Sequence, residues 1–457
     1  MKDKWGYEIN TDSSSCISSI NQYYHQVLSY GRKRDVIIEA VKHDPDCVLA
    51  NILAAQFSSS PSSYLQAANS NLDNASPYEQ AVFETVTCLI TPNRDDDLAF
   101  DLHFKLLKQY PKDLVSLKRA QVLCFYMGRP DLSLQLVQQV LASNDQQDFV
   151  YGMLAFPLLE LGRMEDAEKA AKMGFQINNQ DPWSQHALCH VYQYECRFKE
   201  AVEFMEDCSK SWGPLSSFMN THNWWHVALC YLEGNAPFEK VCEIYDNRIW
   251  KELDRSDATP VEVYLNAVGL LLRVHVRGEI RFFDDQLNIL AGYLSDQSFW
   301  FLEWHLDLLI LWALACTGKL SEARDLLEGL KSRVCAMNPK KGKLMQKGLK
   351  LAKAVYEYGR GEFSRALELL GPDFDAENCK MVGASGEQLD VFNEVWYVML
   401  LDAGHADKAI AVIEKQLKKR DGTPFLWRLL ERGYLALGKQ EVEAISAKAK
   451  ALESAYF

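Results

Sequence analysis

Four of the ten histidines in this 457-residue chain fall between positions 186 and 226, in two pairs of equal spacing. His186 and His190 close the run Pro182-Trp-Ser-Gln-His-Ala-Leu-Cys-His, and His222 and His226 bracket Asn-Trp-Trp. Residues four apart share one face of a helix, so each pair stacks two imidazoles a turn apart. Neutral imidazoles suit two kinds of chemistry: general-base catalysis near neutral pH and ligation of zinc or another transition metal. The zincin signature HExxH is absent, since Ala187 and Asn223 stand where it needs Glu. Trp225, with Trp224 beside it, offers an aromatic wall. Arg273 interrupts the apolar run Leu270–Val274, where a guanidinium needs a counter-charge or an anionic ligand. Asp307, close to Glu303 and His305 in the apolar segment Phe299–Ala315, needs a partner in turn, and Arg273 is the expected one. The candidate ligand-binding residues are therefore His186, His190, His222, Trp225, His226, Arg273 and Asp307. The bland alternative is that the histidines only pack and that the charges form structural ion pairs.

The elements that carry these side chains follow from a repeat. Leu161-Gly162-Arg163-Met164-Glu165-Asp166-Ala167 combines a residue suited to closing a helix with a small residue five positions on, where two helices touch. Gly128 and Cys196 stand one 34-residue period to either side of Gly162. Gly318, Gly361, Gly404 and Gly438 carry the landmark onward, and Gly31 starts a weaker copy. This is the tetratricopeptide period. Apolar residues at three- and four-residue spacing over Phe149–Leu161 and Met164–Ile177 predict helices, and no strand alternation is evident. Longer intervals predict insertions at Asn247–Pro260 and Asp373–Gly386, and Ser58–Ser76 reads as weakly helical or irregular. Taking Cys196 and Gly234 as closing positions, both histidine pairs lie on the first helices of consecutive units. In such stacks the first helices line the concave surface.

Composition narrows the function. The formal net charge is -13, with 62 acidic against 49 basic residues. That argues against nucleic acid and against anionic lipid, both of which call for a basic face. The first ten residues are polar, so no secretory signal is expected; the C-terminal residues carry no evident targeting signal; and the longest apolar run, Leu306–Cys316, is too short to span a bilayer. Twelve cysteines without a CxxC pair read as reduced thiols, which makes the cytoplasm the expected compartment. No Walker loop, GxSxG elbow or Rossmann glycine pattern is present.

Several stretches together resemble the tetratricopeptide repeat protein 38 family, over nearly the whole chain. They are His186-Ala-Leu-Cys-His190-Val, His222-Asn-Trp-Trp-His226-Val-Ala-Leu and Ile244-Tyr-Asp246, with Leu270-Leu-Leu-Arg273-Val and Gln388-Leu-Asp390-Val-Phe392 as weaker matches. Gly386 stands where the family has His, Leu389 where it has Arg, Leu309 where it has His, and Asn266 where it has Asp. The resemblance implies a helical repeat fold and a polar site at these residues, and no particular reaction. The departures favour binding over catalysis.

The expected fold is thus all-α, a tetratricopeptide-like right-handed α-α superhelix, or solenoid, with a concave inner groove. It is read as a single array over 1–457, with irregular units over 1–115 and the clearest repeats over 116–240 and 300–445. The expected function is cytosolic binding of a protein segment or small polar molecule in a His/Trp-lined groove, with no cofactor, nucleic acid or membrane. One alternative is a hydrolase-like enzyme using the paired histidines as base or as ligands for zinc or another divalent metal. A second is a pure interaction scaffold.

Overall fold

The computed structural model describes residues 1–91 and 94–457. Among them the chain is helical throughout, and its β content is two isolated bridges, Lys2 with Glu8 and Gly31 with Leu215. The architecture is all-α and of tetratricopeptide type, built from successive helical hairpins. No helix of the described residues is long and apolar enough to cross a membrane.

Local chemistry explains the hairpins. Gly128, Gly162, Gly318, Gly361, Gly404 and Gly438 all have positive φ, between 63° and 79°, and Cys196 takes the same left-handed turn at 58°. Glycine adopts this conformation without a Cβ clash, which is why it recurs at the closing position. Five residues after five of these landmarks stand Ala167, Ala201, Ala323, Ala366 and Ala409, each fully buried. A methyl there lets the paired helices touch. Two closing positions lie one residue away from the sequence reading. Asn235 (φ 59°), not Gly234, turns the chain after Ser217–Glu233, and Tyr30 (φ 54°), not Gly31, does so near the start. Gly234 is needed for space instead: a Cβ on it would stand 3.0 Å from the Cys230 carbonyl and 3.1 Å from the Phe198 side chain. Because Asn235 is exposed, Asn235→Val tests the turn cleanly. Relative to Asn235→Gly, which likewise loses the amide's bond to the Glu453 carbonyl at 3.3 Å, a β-branched residue in the left-handed region is expected to cost about 1–2 kcal/mol, read as a lower urea midpoint. Equal effects of the two substitutions would contradict this account.

The chain divides into two compact units, Met1–Ala187 with Ser211–Ser216, and Leu188–Lys210 with Ser217–Phe457. The division falls inside the helix Pro182–Tyr194. In the first unit, Ser14–Leu28 packs on Val36–His43, Val48–Phe57 on Ser62–Ser70 and on Pro77–Ile90, Leu114–Tyr126 on Pro130–Leu141, and Val150–Glu160 on Met164–Ile177.

In the second unit, Ser217–Glu233 packs on Phe198–Cys208 and on Pro260–Val276, which in turn meets Trp304–Cys316 and Gly386–Asp402. Trp304–Cys316 is crossed closely by Pro339–Gly359: a Cβ on Gly359 would stand 2.8 Å from Ala315 Cβ and 2.9 Å from the Trp312 carbonyl. The last hairpin, Pro424–Ala436 with Val442–Glu453, leads back to the start of the unit, where Tyr456 meets Phe198 at 4.9 Å and Phe457 meets Tyr231 at 5.1 Å. The inner faces of these helices are therefore covered by their own neighbours. The insertions are less irregular than the sequence suggests. Residues Tyr245–Ile249 form a π-helical turn that runs into a 3-10 turn at Trp250–Asp254, and Ala376–Val382 is a further 3-10 segment.

Candidate functional site

The second unit encloses a polar cluster on the inner faces of its helices. His190 comes from the C-terminal half of Pro182–Tyr194, His222 and His226 from Ser217–Glu233, Asn266 and Arg273 from Pro260–Val276, and Glu387 from the start of Gly386–Asp402. That last helix begins where it does because Ser385 and Gln388 form a capping box, each side chain bonding the other's backbone N–H. Glu387 is thereby held in the first turn.

The imidazoles meet at ring distance. His190 and His226 have centroids 4.4 Å apart, and His222 and His226 4.9 Å apart, both edge-on. His222 is stacked between Phe218 at 5.0 Å and Trp225 at 5.2 Å. Its Nδ1 lies 2.8 Å from Asn266 Oδ1, while the Asn266 amide donates to Thr221 Oγ1 at 2.8 Å and to the Glu262 carbonyl at 3.1 Å. Those two acceptors orient the amide, so His222 carries its proton on Nδ1. Burial holds the His222 imidazole down at about 3, with the Asn266 bond opposing. His226 is oriented similarly: its Nδ1 lies 3.1 Å from Gln193 Oε1, and Gln193 Nε2 donates to Glu233 Oε2 at 3.1 Å. A ring is commonly fixed this way, through the hydrogen bond of one nitrogen.

Charges surround the rings. Glu387 Oε2 lies 2.8 Å from His190 Nδ1 and 3.3 Å from His226 Nδ1. Arg420 donates to Glu233 Oε2 at 2.6 Å and to the Gln193 carbonyl at 3.2 Å. Burial alone would raise the Glu233 carboxyl, but Arg420, Arg273 and Arg277 outweigh it and hold it below its ordinary value. Arg277 grips Glu394 with two bonds, at 2.7 and 2.8 Å. Arg273, buried to 1% exposure, lies 3.7 Å from Glu394 Oε2, donates through Nη2 to the Glu387 carbonyl, and stands 5.7 Å from the centre of the Trp225 ring. Trp224 faces Arg248 instead, at 4.7 Å.

One sequence expectation changes. Arg273 does have a counter-charge, but it is Glu394 and not Asp307. Asp307 sits in the first turn of Trp304–Cys316, where its Oδ1 accepts the Phe301 N–H at 2.9 Å and ties down a left-handed residue (φ 63°). Burial pushes its carboxyl up to about 7, against the pull of the Phe301 bond and Arg333. His186 belongs to the first unit. There it is stacked on Trp183 at 4.9 Å, and Trp183 in turn meets Tyr30 at 5.1 Å, with the Lys118 ammonium over both rings. The second unit thus brings together His190, His222, His226, Trp225 and Arg273.

Glu387, Gln193, Glu233, Glu394 and Arg420 escaped the sequence reading. One signal was available. Glu387, Asp390 and Glu394 recur at i, i+3 and i+7, which puts three carboxylates on one face of a helix that also carries Val391, Phe392, Val395 and Trp396. At Gly386, where the resembled family has His, the nearest atoms a Cβ would meet belong to the movable end of the half-exposed Glu377 side chain, Oε1 at 2.6 Å.

Helical hairpins at 34-residue spacing, closed by left-handed residues, define the class as tetratricopeptide-type repeat proteins. No family model matches the sequence. Similar solved structures include the human IFIT1 dimer with m7Gppp-AAAA, at 13% identity over 98% of this chain and 92% of that one, with a TM-score of 0.41. The TPR domain of P58(IPK) is similar at 13% identity over 82% of this chain and 98% of that one, TM-score 0.22. Naa15/Naa10 bound to HypK-THB aligns at 14% identity over 95% of this chain and 67% of that one, TM-score 0.25.

Proposed function

We propose that the second unit is a binding module for a small molecule bearing acceptor oxygens, a carboxylate foremost, held by Arg273 and Trp225 beside His190, His222 and His226. One observation carries this reading: a group of buried donors lacks acceptors, namely Nε and Nη1 of Arg273 and Nε1 of Trp225. A buried N–H left unbonded costs about 1–3 kcal/mol, and folded proteins fill such positions with water or ligand. Trp225, on Ser217–Glu233, brings its donor against the face of Pro260–Val276 that carries Arg273. A Cβ on Gly269, one turn before Arg273, would stand 3.6 Å from Trp225 Nε1. The open N–H groups of Arg273 are charged donors, which suit the oxygens of an anionic ligand. The net charge of -13 supports a small ligand over a nucleic acid. The histidine stretches support membership of the tetratricopeptide repeat protein 38 family, and twelve singly spaced thiols support a cytosolic protein.

A thermal-shift panel of acetate, succinate and citrate tests the proposal. At about 10 mM at least one is expected to raise the melting temperature of the second unit by several degrees, because a ligand bound only to the folded state stabilises it. Trp225→Phe keeps the ring and removes the N–H, and is expected to weaken that binding about tenfold. No shift with any member of the panel, or equal binding by Trp225→Phe, would overturn the assignment.

A further inference from the structure

We infer that His190, His226 and Glu387, with the side-chain oxygen of Gln193, form a binding site for one divalent transition-metal ion, zinc by ligand type. The three titratable residues offer ligand atoms that all lie within 4.8 Å of one another and come from three helices of the second unit. Their edges have the lengths of a coordination polyhedron. Glu387 Oε2 is 2.8 Å from His190 Nδ1 and 3.3 Å from His226 Nδ1, and Gln193 Oε1 is 3.1 Å from His226 Nδ1. Two ligand atoms about 2.0–2.1 Å from a tetrahedral ion are about 3.3 Å apart.

The Glu387 oxygen argues for a common centre. Although it is buried and close to two ring nitrogens, it makes no hydrogen bond with either. Short contacts without in-line N–H···O geometry suit ligands aimed at a third point between them. The surroundings also suit a cation. Four carboxylates, Glu233, Glu387, Asp390 and Glu394, stand with three guanidiniums, Arg273, Arg277 and Arg420, leaving one negative charge in excess. Gln193 is held for the role, because its amide nitrogen donates to Glu233, which Arg420 holds in turn, so its oxygen faces His226. Such outer partners orient ligands and tune the ion. On binding, His226 must carry its proton on Nε2, leaving Nδ1 to the ion. An ion here lies beside the guanidinium of Arg273, whose Nη2 bonds the Glu387 backbone.

The test is calorimetric titration of zinc into chelator-treated full-length protein, with cobalt(II) as a spectroscopic probe. About one ion per chain is expected, with d–d absorption of a four-coordinate nitrogen/oxygen site. Glu387→Gln and His190→Gln are each expected to weaken binding at least about 100-fold, since a direct ligand counts for more than an outer one. His405→Gln leaves binding unchanged, and far-ultraviolet circular dichroism confirms that each variant is folded. If a variant fails to fold, Gln193→Leu, expected to weaken binding about tenfold or more, takes its place. Substoichiometric uptake, or full affinity in folded Glu387→Gln, overturns the inference. Zinc uptake without any carboxylate effect would sustain the metal site and sink the proposed anion site; the reverse result would do the opposite.

Discussion

Arg420→Met is expected to lower the unfolding free energy of the second unit by about 3–5 kcal/mol, the usual cost of leaving one member of a buried ion pair without its partner. Glu233 and Arg420 are 1% and 8% exposed, and their contact is 2.6 Å. With Arg420 removed, the Glu233 carboxylate keeps only the Gln193 amide, and the Gln193 carbonyl loses its bond from the guanidinium. The effect reaches further than the pair, because Gln193 orients His226. Urea denaturation of the variant measures the loss. Removing both charges, as in Arg420→Met with Glu233→Gln, is expected to cost less than Arg420→Met alone, since no ion is then stranded. A single-variant loss below about 1 kcal/mol would show that water reaches Glu233 and that this region is not a closed core.

The second large effect has the opposite sign. Asp307→Asn is expected to stabilise the second unit by about 4 kcal/mol at pH 8 and by less than about 1 kcal/mol at pH 4. The folded Asp307 carboxyl sits at about 7, above its ordinary 3.8, chiefly through burial. The folded state therefore binds the more protons between those values, and stability is lost as the pH rises from 3.8 through 7. Asn removes the charge that causes this loss and keeps the oxygen that accepts the Phe301 N–H. The comparison is made as variant minus wild type at each pH, which cancels the other titrating groups. A gain that is the same at pH 4 and pH 8, or a loss at pH 8, would refute it. Ligand binding that survives this substitution would agree with an Asp307 engaged by its own turn.

What was legible beforehand was local. The 34-residue recurrence of Gly and Ala needs only the φ preference of glycine and the small volume of alanine, both properties of single residues. Hence the closing glycines at 128, 162, 318, 361, 404 and 438 lie where the spacing puts them. The placing of His222 and His226 a turn apart is local too, because helix geometry alone sets it. The exceptions are instructive. Gly234 looks like a closing glycine, yet the chain turns at Asn235, and Gly234 serves a close approach instead, with Phe457, Cys230 and Phe198 against it.

The histidine pairs, the repeat and the all-helical class came from the order of residues, since each depends on neighbours within a few turns. Tertiary structure decided the partners. It brought Glu387 between His190 and His226, gave Arg273 to Glu394 rather than Asp307, and joined Arg420 to Glu233 across 187 positions of chain. A buried charge is legible in sequence as a demand for a partner, because desolvation makes it costly alone. Which residue meets the demand depends on which helices pack face to face, and that is a property of the assembled core.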